Sequence, residues 1–297
     1  MIDLHTHSTF SDGCLSPTEI LNRAVKLKLE ALALTDHDAV SGLYELKKAA
    51  ANKKIEIVNG AEMSVYYPQT DMEIIALDIP DKSLDAFYKY QQTEIKKREK
   101  LAHQRIELLQ KSGINITFDE IAYDSAGNRR LQIRRPHFVE LLLKKNYVKD
   151  IQEGYTKIFA PDGICYIEHK PIAAEKMIHF IRDNGAKAIL AHPIHTNLRK
   201  KKLFELVKKL KKEGLCGIEV FHSSHPKELR IEYLEIIKEL QMISGGGSDF
   251  HGEDIHPENK LGTGRDNNLN IPYIVLEEIK NNTLPQPQYY EELKKYL

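Results

Sequence analysis

Thirteen histidines stand in this 297-residue chain, most of them in short motifs beside acids. His5 and His7 follow an apolar start, Met1 to Leu4, that reads as a short buried strand. Two imidazoles two residues apart on an extended segment share a face, and histidine is the commonest metal ligand among side chains. Groups of the same kind recur at Asp12, at Asp36 and His37, and at Glu62, His137, His192 and Glu219; Asp249 and His251 follow as a pair. Each alone has an ordinary reading as a turn, an ion pair or a strand terminator. Nearly all, however, fall where a buried strand is expected to stop. A parallel barrel would gather those ends into one pocket. Imidazoles and carboxylates buried without partners are costly, and divalent cations would compensate them. Mixed His and carboxylate donors suit zinc, manganese or iron. A carboxylate such as Glu62 can bridge two ions, and clustered ions are a device for hydrolysing phosphate esters.

The elements that must position these groups alternate. Ser16-Pro17-Thr18-Glu19 opens a helix through a capping box with Pro in the first turn. Ala31–Leu34 reads as a buried strand ending on Thr35-Asp36-His37-Asp38. A helix follows from about Gly42 to Asn52, then a strand over Ile55–Val58 that ends on Asn59-Gly60-Ala61-Glu62. Alternation of this kind argues for a parallel sheet or barrel, with chemistry at the C-terminal strand ends. Ser64–Tyr67 and Glu73–Leu77 read as short strands joined through Pro68-Gln69-Thr70-Asp71. From Leu84 to Lys111 the chain is long, charged and helical. Shorter helical segments follow over Phe118–Tyr123, Pro136–Lys145 and Ile151–Phe159. Residues 98–168 are therefore expected to form an inserted helical lobe, with 1–97 and 169–297 making the barrel. Alternation then resumes. A helix over Pro171–Asn184 leads to a strand Ala188–Ala191, and a basic helix Arg199–Glu213 to a strand Gly217–Phe221. A helix over Pro226–Leu240 then leads to Met242–Gly247. Ile274-Val275-Leu276 is expected to add a last short strand.

Composition narrows the class. Apolar residues are 41% and charged residues 29%, as in a soluble globular protein. No apolar run approaches the roughly 20 residues that span a bilayer, and the start lacks the segments of a secretion signal. Basic and acidic residues both number 43, so no bulk field attracts nucleic acid as a polyanion. The three cysteines lack CxxC spacing, which excludes a thiolate metal site and points to a reduced, cytoplasmic protein.

As a set, HTHSTFSDG (5–13), LTDHD (34–38), GAE (60–62), RPHF (135–138), AHP (191–193), GIEVFHSSH (217–225) and GSDFHG (247–252) resemble the PHP (polymerase and histidinol phosphatase) superfamily, over about residues 2 to 252. The RPH motif in a helical insertion is most similar to its branch of bacterial nucleotide phosphatases and 5′→3′ exoribonucleases. The resemblance implies a distorted seven-stranded β/α barrel and a trinuclear centre of manganese, iron or zinc. It implies a first site of His5, His7, Glu62 and Asp249. A second site would share Glu62 and add His137 and His192. A third would use Asp12, where some relatives have His, with His37 and His251. Arg135 is expected to grip a substrate phosphate. His195 and His225 are expected to bind phosphate or protonate the leaving oxygen, Asp36 to be a catalytic residue with them, and Glu219 to support the site. The expected reaction is attack by a metal-activated hydroxide on a terminal phosphate. Its substrates would be a nucleoside 5′-monophosphate, a 3′,5′-bisphosphate or a short RNA 5′ end. No membrane and no obligate protein partner are expected. Histidinol phosphate as substrate, and a non-catalytic PHP binding module, remain alternatives at this point.

Overall fold

The computed structural model describes residues 1–68, 70–124, 127–167, 171–198, 200–281 and 283–297. Seven strands occur in chain order in one sheet: β1 (Ile2–Asp3), β2 (Ala31–Leu34), β3 (Glu56–Tyr67), β4 (Thr70–Leu77), β5 (Lys187–Leu190), β6 (Leu215–His222) and β7 (Ile243–Gly247). Neighbours pair in parallel except β4, which is antiparallel to both β3 and β5. The sheet curls so that β1 meets β7: the Leu4 N–H donates to Gly246 O at 3.2 Å, and the Asp249 N–H to His5 O at 2.9 Å. Gly247 permits that closure, because a Cβ there would lie 2.3 Å from the His5 backbone nitrogen. The result is the expected nearly closed α/β barrel.

Helices α1 (Pro17–Lys26) and α2 (Gly42–Ala50) cover β1 to β3. The capping box on α1 forms as expected, with Ser16 and Glu19 exchanging bonds. After β4 comes α3 (Leu84–Lys111), at the expected bounds. It is followed by α4 (Phe118–Ala122), α5 (Arg135–Lys144), α6 (Ile151–Glu153) and a π-helical turn over Gly154–Phe159. These elements carry their own apolar cluster, from Ala102 to Cys165 and centred on Leu109, Phe138 and Leu142, apart from the barrel core. The expected lobe boundary at residues 168 and 169 lies outside the described residues. The barrel resumes with α7 (Ala174–Asp183), α8 (Lys201–Glu213) and α9 (Lys227–Glu239). Arg199, the expected start of α8, also lies outside the described residues.

Two expectations change. The two expected strands, Ile55–Val58 from Glu56 onward and Ser64–Tyr67, belong to one continuous strand, β3, so Glu62 sits mid-strand rather than at an end. Ile274-Val275-Leu276 starts a helix, α10 (Ile274–Lys280), not a strand. The reason is topological. The Ile2 N–H already donates to Ile271 O, and β1 and β7 meet each other, so no sheet edge remains there. Val275, Leu276 and Ile279 instead share a buried helical face. A final helix, α11 (Pro287–Leu293), lends two phenols to β7 and its approach: Ser244 N–H donates to the Tyr289 hydroxyl at 2.9 Å, and Tyr290 donates to Met242 O at 3.1 Å.

One buried carboxylate ties the seam. Asp3 accepts from Ser248 N–H at 2.9 Å, Ser248 Oγ at 2.6 Å and Gly262 N–H at 2.7 Å. Replacing Asp3 with Asn puts an amide donor among those donors. Asp3→Asn is expected to cost about 3–5 kcal/mol. Urea unfolding under chelation would read this as a lower midpoint at unchanged m value.

Candidate metal centre

The acids and imidazoles converge at the barrel mouth. His5 and His7 leave β1 with their Nε2 atoms 3.1 Å apart. Both face Glu62 Oε2, each at 3.4 Å, and Asp249 Oδ1, at 3.5 and 3.2 Å. Glu62 Oε1 meets His192 Nε2 at 2.8 Å, while Glu62 Oε2 meets His37 Nδ1 at 3.0 Å. On its other side, His37 Nε2 lies 3.7 Å from Asp12 Oδ1, and His251 Nε2 lies 3.5 Å from the same oxygen. Glu62 thus stands between the neighbouring groups of donors.

The backbone is bent to deliver these groups. His192 and Asp249, each just past a strand, have φ of 23° and 54°. Such left-handed residues carry a conformational cost and cluster at functional sites. Their amides are held: His192 N–H donates to Glu219 Oε2 at 2.7 Å, and Asp249 N–H to His5 O. Glu219 Oε1 also lies 3.0 Å from His5 Nδ1. That partner fixes the imidazole with Nε2 facing inward, the usual arrangement behind a metal-ligating histidine. Asp36 accepts from Ser8 N–H, Ser8 Oγ and Ser11 Oγ, each at 2.7 Å. It anchors the loop that carries Asp12.

The charges are strongly coupled. Burial alone would raise the Glu62 and Asp12 carboxyls, but His37 and His5 hold Glu62 well below its ordinary range, and His37 and Arg134 do the same for Asp12. Burial, then the His251 and His37 charges, push His7 down to about 3. Burial opposes protonation of His192 too, but its hydrogen bond to Glu62 and that carboxylate's charge hold it up at about 9. Glu62 is 0% exposed, yet its Oε2 has no hydrogen-bond donor, and Asp12 Oδ1, His37 Nδ1 and His222 Nε2 are also buried without a hydrogen-bond partner. Orphaned lone pairs of this kind, aimed at shared points, fit divalent cations. Four groups place their ligand atoms within 4.8 Å of one another: His7, Asp12, His37 and His251; His5, Glu62 and His192; His5, His222 and Asp249; His37, Glu62 and Glu73.

The structure thus gathers His5, His7, Asp12, His37, Glu62, His192, Asp249 and His251. Among the described residues, His137 joins none of these groups. That side chain sits in the first turn of α5, where its Nδ1 accepts the Arg134 N–H at 3.1 Å. In its expected place stands Glu73, whose Oε2 is 3.5 Å from His192 Nε2 and whose Oε1 is 3.2 Å from His37 Nδ1. Glu73 lies mid-strand on β4, so attention to strand ends passes over it. The hairpin register could have found it: Glu62 pairs with Ile75 and Ser64 with Glu73, which puts both acids on one face.

Three further placements differ. Arg135 is exposed, whereas Arg134 is directed inward, with Nε 3.3 Å from Asp12 Oδ2 and a terminal nitrogen 3.5 Å from Asp38 Oδ2. His225 is 0% exposed and bonds Val220 O through Nδ1 at 3.2 Å, so substrate cannot reach it. His222, the last residue of β6, fills the place expected of it, 3.6 Å from Asp249 Oδ2. Asp36, bound to its two serines, anchors a loop and does not join the reacting groups. His195 is at the exposed rim, its ring 4.4 Å from that of His192.

A model of the PHP domain matches residues 3–171 of the chain. A 3′,5′-nucleoside bisphosphate phosphatase of Chromobacterium violaceum is 32% identical over 250 residues, 84% of this chain and 87% of that protein. A 5′-3′ exoribonuclease of Haemophilus influenzae is 30% identical over 249 residues, 84% and 89% of the two chains. Among solved structures, an amidohydrolase from Chromobacterium violaceum with bound sulfate and no metal superposes with a TM-score of 0.79 at 30% identity, covering 94% of this chain and 95% of that one.

The geometry separates Glu73 from His137. Glu73→Gln is expected to weaken Mn²⁺ binding at least about tenfold, and His137→Gln to leave it within about twofold. Isothermal titration of chelator-stripped protein reads both.

Proposed function

The chain belongs to the PHP domain family, and from that premise we propose that its buried centre hydrolyses phosphate esters of nucleotides or of RNA ends. It is a metal-dependent phosphoesterase, an enzyme of the hydrolase class. The observation that carries this reading is the orphaned oxygen of Glu62, set among imidazoles at the mouth of the barrel. Supporting it, the relatives that match over most of their length are named for bisphosphate nucleotides and for RNA.

We infer that three cations are held. His5, His7, Glu62 and Asp249 would take the first. Glu62, Glu73 and His192 would take the second, and Asp12, His37 and His251 the third. Manganese, iron and zinc all suit these donors. When bound, such ions activate water and neutralise phosphoryl oxygens. The remaining work falls to this chain's own residues. Glu219 keeps His5 in one tautomer and orientation. Asp36 fixes the loop of Asp12. Arg134 offers a planar guanidinium fork beside Asp12, suited to pairing with two oxygens of a phosphate. His195, exposed at the mouth beside His222, would contact the phosphate or give a proton to the leaving oxygen. The lobe's described residues would form one wall, touching the barrel through Arg134 and through Gln132, whose Nε2 donates to His37 O at 2.7 Å.

Phosphate release from a panel of nucleoside 5′-monophosphates, 3′,5′-bisphosphates, short 5′-phosphorylated RNAs and histidinol phosphate tests the reading. The expected outcome is Mn²⁺-dependent turnover of the nucleotides, with histidinol phosphate at least about tenfold slower in kcat/KM; turnover that survives exhaustive chelation would overturn the mechanism. His7→Ala is expected to remove nearly all activity.

A further inference from the structure

Asp38 follows His37 in the chain, yet among the described residues it joins no group of candidate metal ligands. It is 1% exposed. Its φ is 51°, a left-handed conformation that is costly for a residue other than glycine and recurs at functional sites. Its N–H donates to Glu62 O at 2.7 Å, which ties this turn to the strand of the shared carboxylate. Its side chain meets the lobe. Oδ1 accepts the Ser64 N–H at 2.9 Å, and Oδ2 accepts the Ser64 hydroxyl at 3.0 Å and a terminal N–H of Arg98.

Each oxygen of a carboxylate offers two lone pairs, so Oδ2 is filled before Arg134 is counted. Arg134 Nη1 lies 3.5 Å from that same Oδ2, at ion-pair distance. It is buried and has no hydrogen-bond partner among the described residues. Nε of the same group lies 3.3 Å from Asp12 Oδ2. Two carboxylates thus hold the guanidinium by charge, while one of its buried nitrogens keeps its hydrogens unspent beside an acid of the metal centre. A buried donor without an acceptor is costly, and an incoming anion relieves that cost. We propose that Asp38 is a positioning residue for Arg134. Its charge keeps the guanidinium at the centre, while Ser64 and Arg98 occupy its lone pairs, so that Nη1 stays open for an oxygen of the substrate phosphate. This rests on the phosphoesterase reading, in which Arg134 is the phosphate-binding fork. Asp38 itself touches neither substrate nor cation.

A double-mutant cycle over Asp38→Asn and Arg134→Gln in the full-length, Mn²⁺-loaded protein tests this. The measured quantities are kcat and KM, taken separately, for adenosine 3′,5′-bisphosphate. Each single variant is expected to raise KM about tenfold with kcat within about threefold, as loss of a charged hydrogen bond to bound substrate does. Adding Asp38→Asn to Arg134→Gln is expected to raise KM less than about twofold further, because the group that Asp38 positions is gone. Multiplied losses in the double variant overturn the proposal, and so does an unchanged KM in either single variant. A loss confined to kcat, or Mn²⁺ affinity falling more than about tenfold in Asp38→Asn by calorimetry, also overturns it, because Asp38 then acts through the His37 turn. If Asp38→Asn fails to fold, Ser64→Ala decides in its place. That variant reopens a lone pair of Oδ2 to Arg134, and it is expected to raise KM about threefold in the unaltered background and not at all beside Arg134→Gln; any other pattern overturns the proposal. If the unaltered protein does not turn over the bisphosphate, the reaction reading fails on its own. Calorimetric titration with inorganic phosphate then runs the same cycle: coupled weakening supports the positioning role, and independent weakening, or none, overturns it.

Discussion

The barrel is built around a carboxylate that ordinary protein contacts leave half-satisfied. Glu62 is sealed from water, one oxygen meets His192, and the other faces three imidazoles with no hydrogen-bond donor. Burying a charge in this way is unfavourable unless an opposite charge shares the site. The surrounding structure keeps that charge from relaxing away. Closure of β1 on β7 brings His5 and Asp249 together, and Glu219 holds both His5 and the His192 backbone. Asp3 and Asp36, though near the centre, are fully spent on backbone and serine donors. The site therefore divides its acids: some fix loops, and others are left open for cations.

The lobe meets this centre through side chains rather than through a shared core. It has its own apolar cluster, and it reaches the barrel by Arg98 to Asp38, Arg134 to Asp12 and Asp38, and Gln132 to the His37 carbonyl. Arginine suits this task because its planar fork can engage two carboxylates at once. The same chemistry that docks the lobe is the chemistry that recognises phosphate, so docking and substrate binding draw on one set of guanidinium groups.

Much of this was legible in the residues. Short apolar runs ending in His, Asp or Glu were enough to anticipate the parallel barrel and the convergence of His5, His7, His37, His192 and Asp249. The reading weakened where period and position no longer carry the signal. Glu73 lies inside a strand, and its partner face depends on hairpin register, which a rule about strand ends does not use. Arg134 and Arg135 are adjacent and alike in type; which of them turns inward depends on where α5 begins. Ile274-Val275-Leu276 is an apolar triplet that suits strand or helix equally, and it became a helix because the barrel left it no edge to join. His222 and His225 differ by one helical turn of sequence, and only packing against Tyr233 shows that the second is enclosed.

The reversed strand β4 has a consequence for assembly. Glu62 and Glu73 come from one hairpin, and the β3–β4 register brings them to the same face through contacts close in the chain. His192 and Asp249 arrive from more than a hundred residues later. Local pairings form with little loop-closure cost, whereas distant ones wait for the rest of the chain. The Glu62 and Glu73 pair is thus organised by short-range structure, and His192 and Asp249 join it only when the barrel closes. Between those two events the hairpin holds two like charges on one face, an arrangement that a divalent cation would relieve.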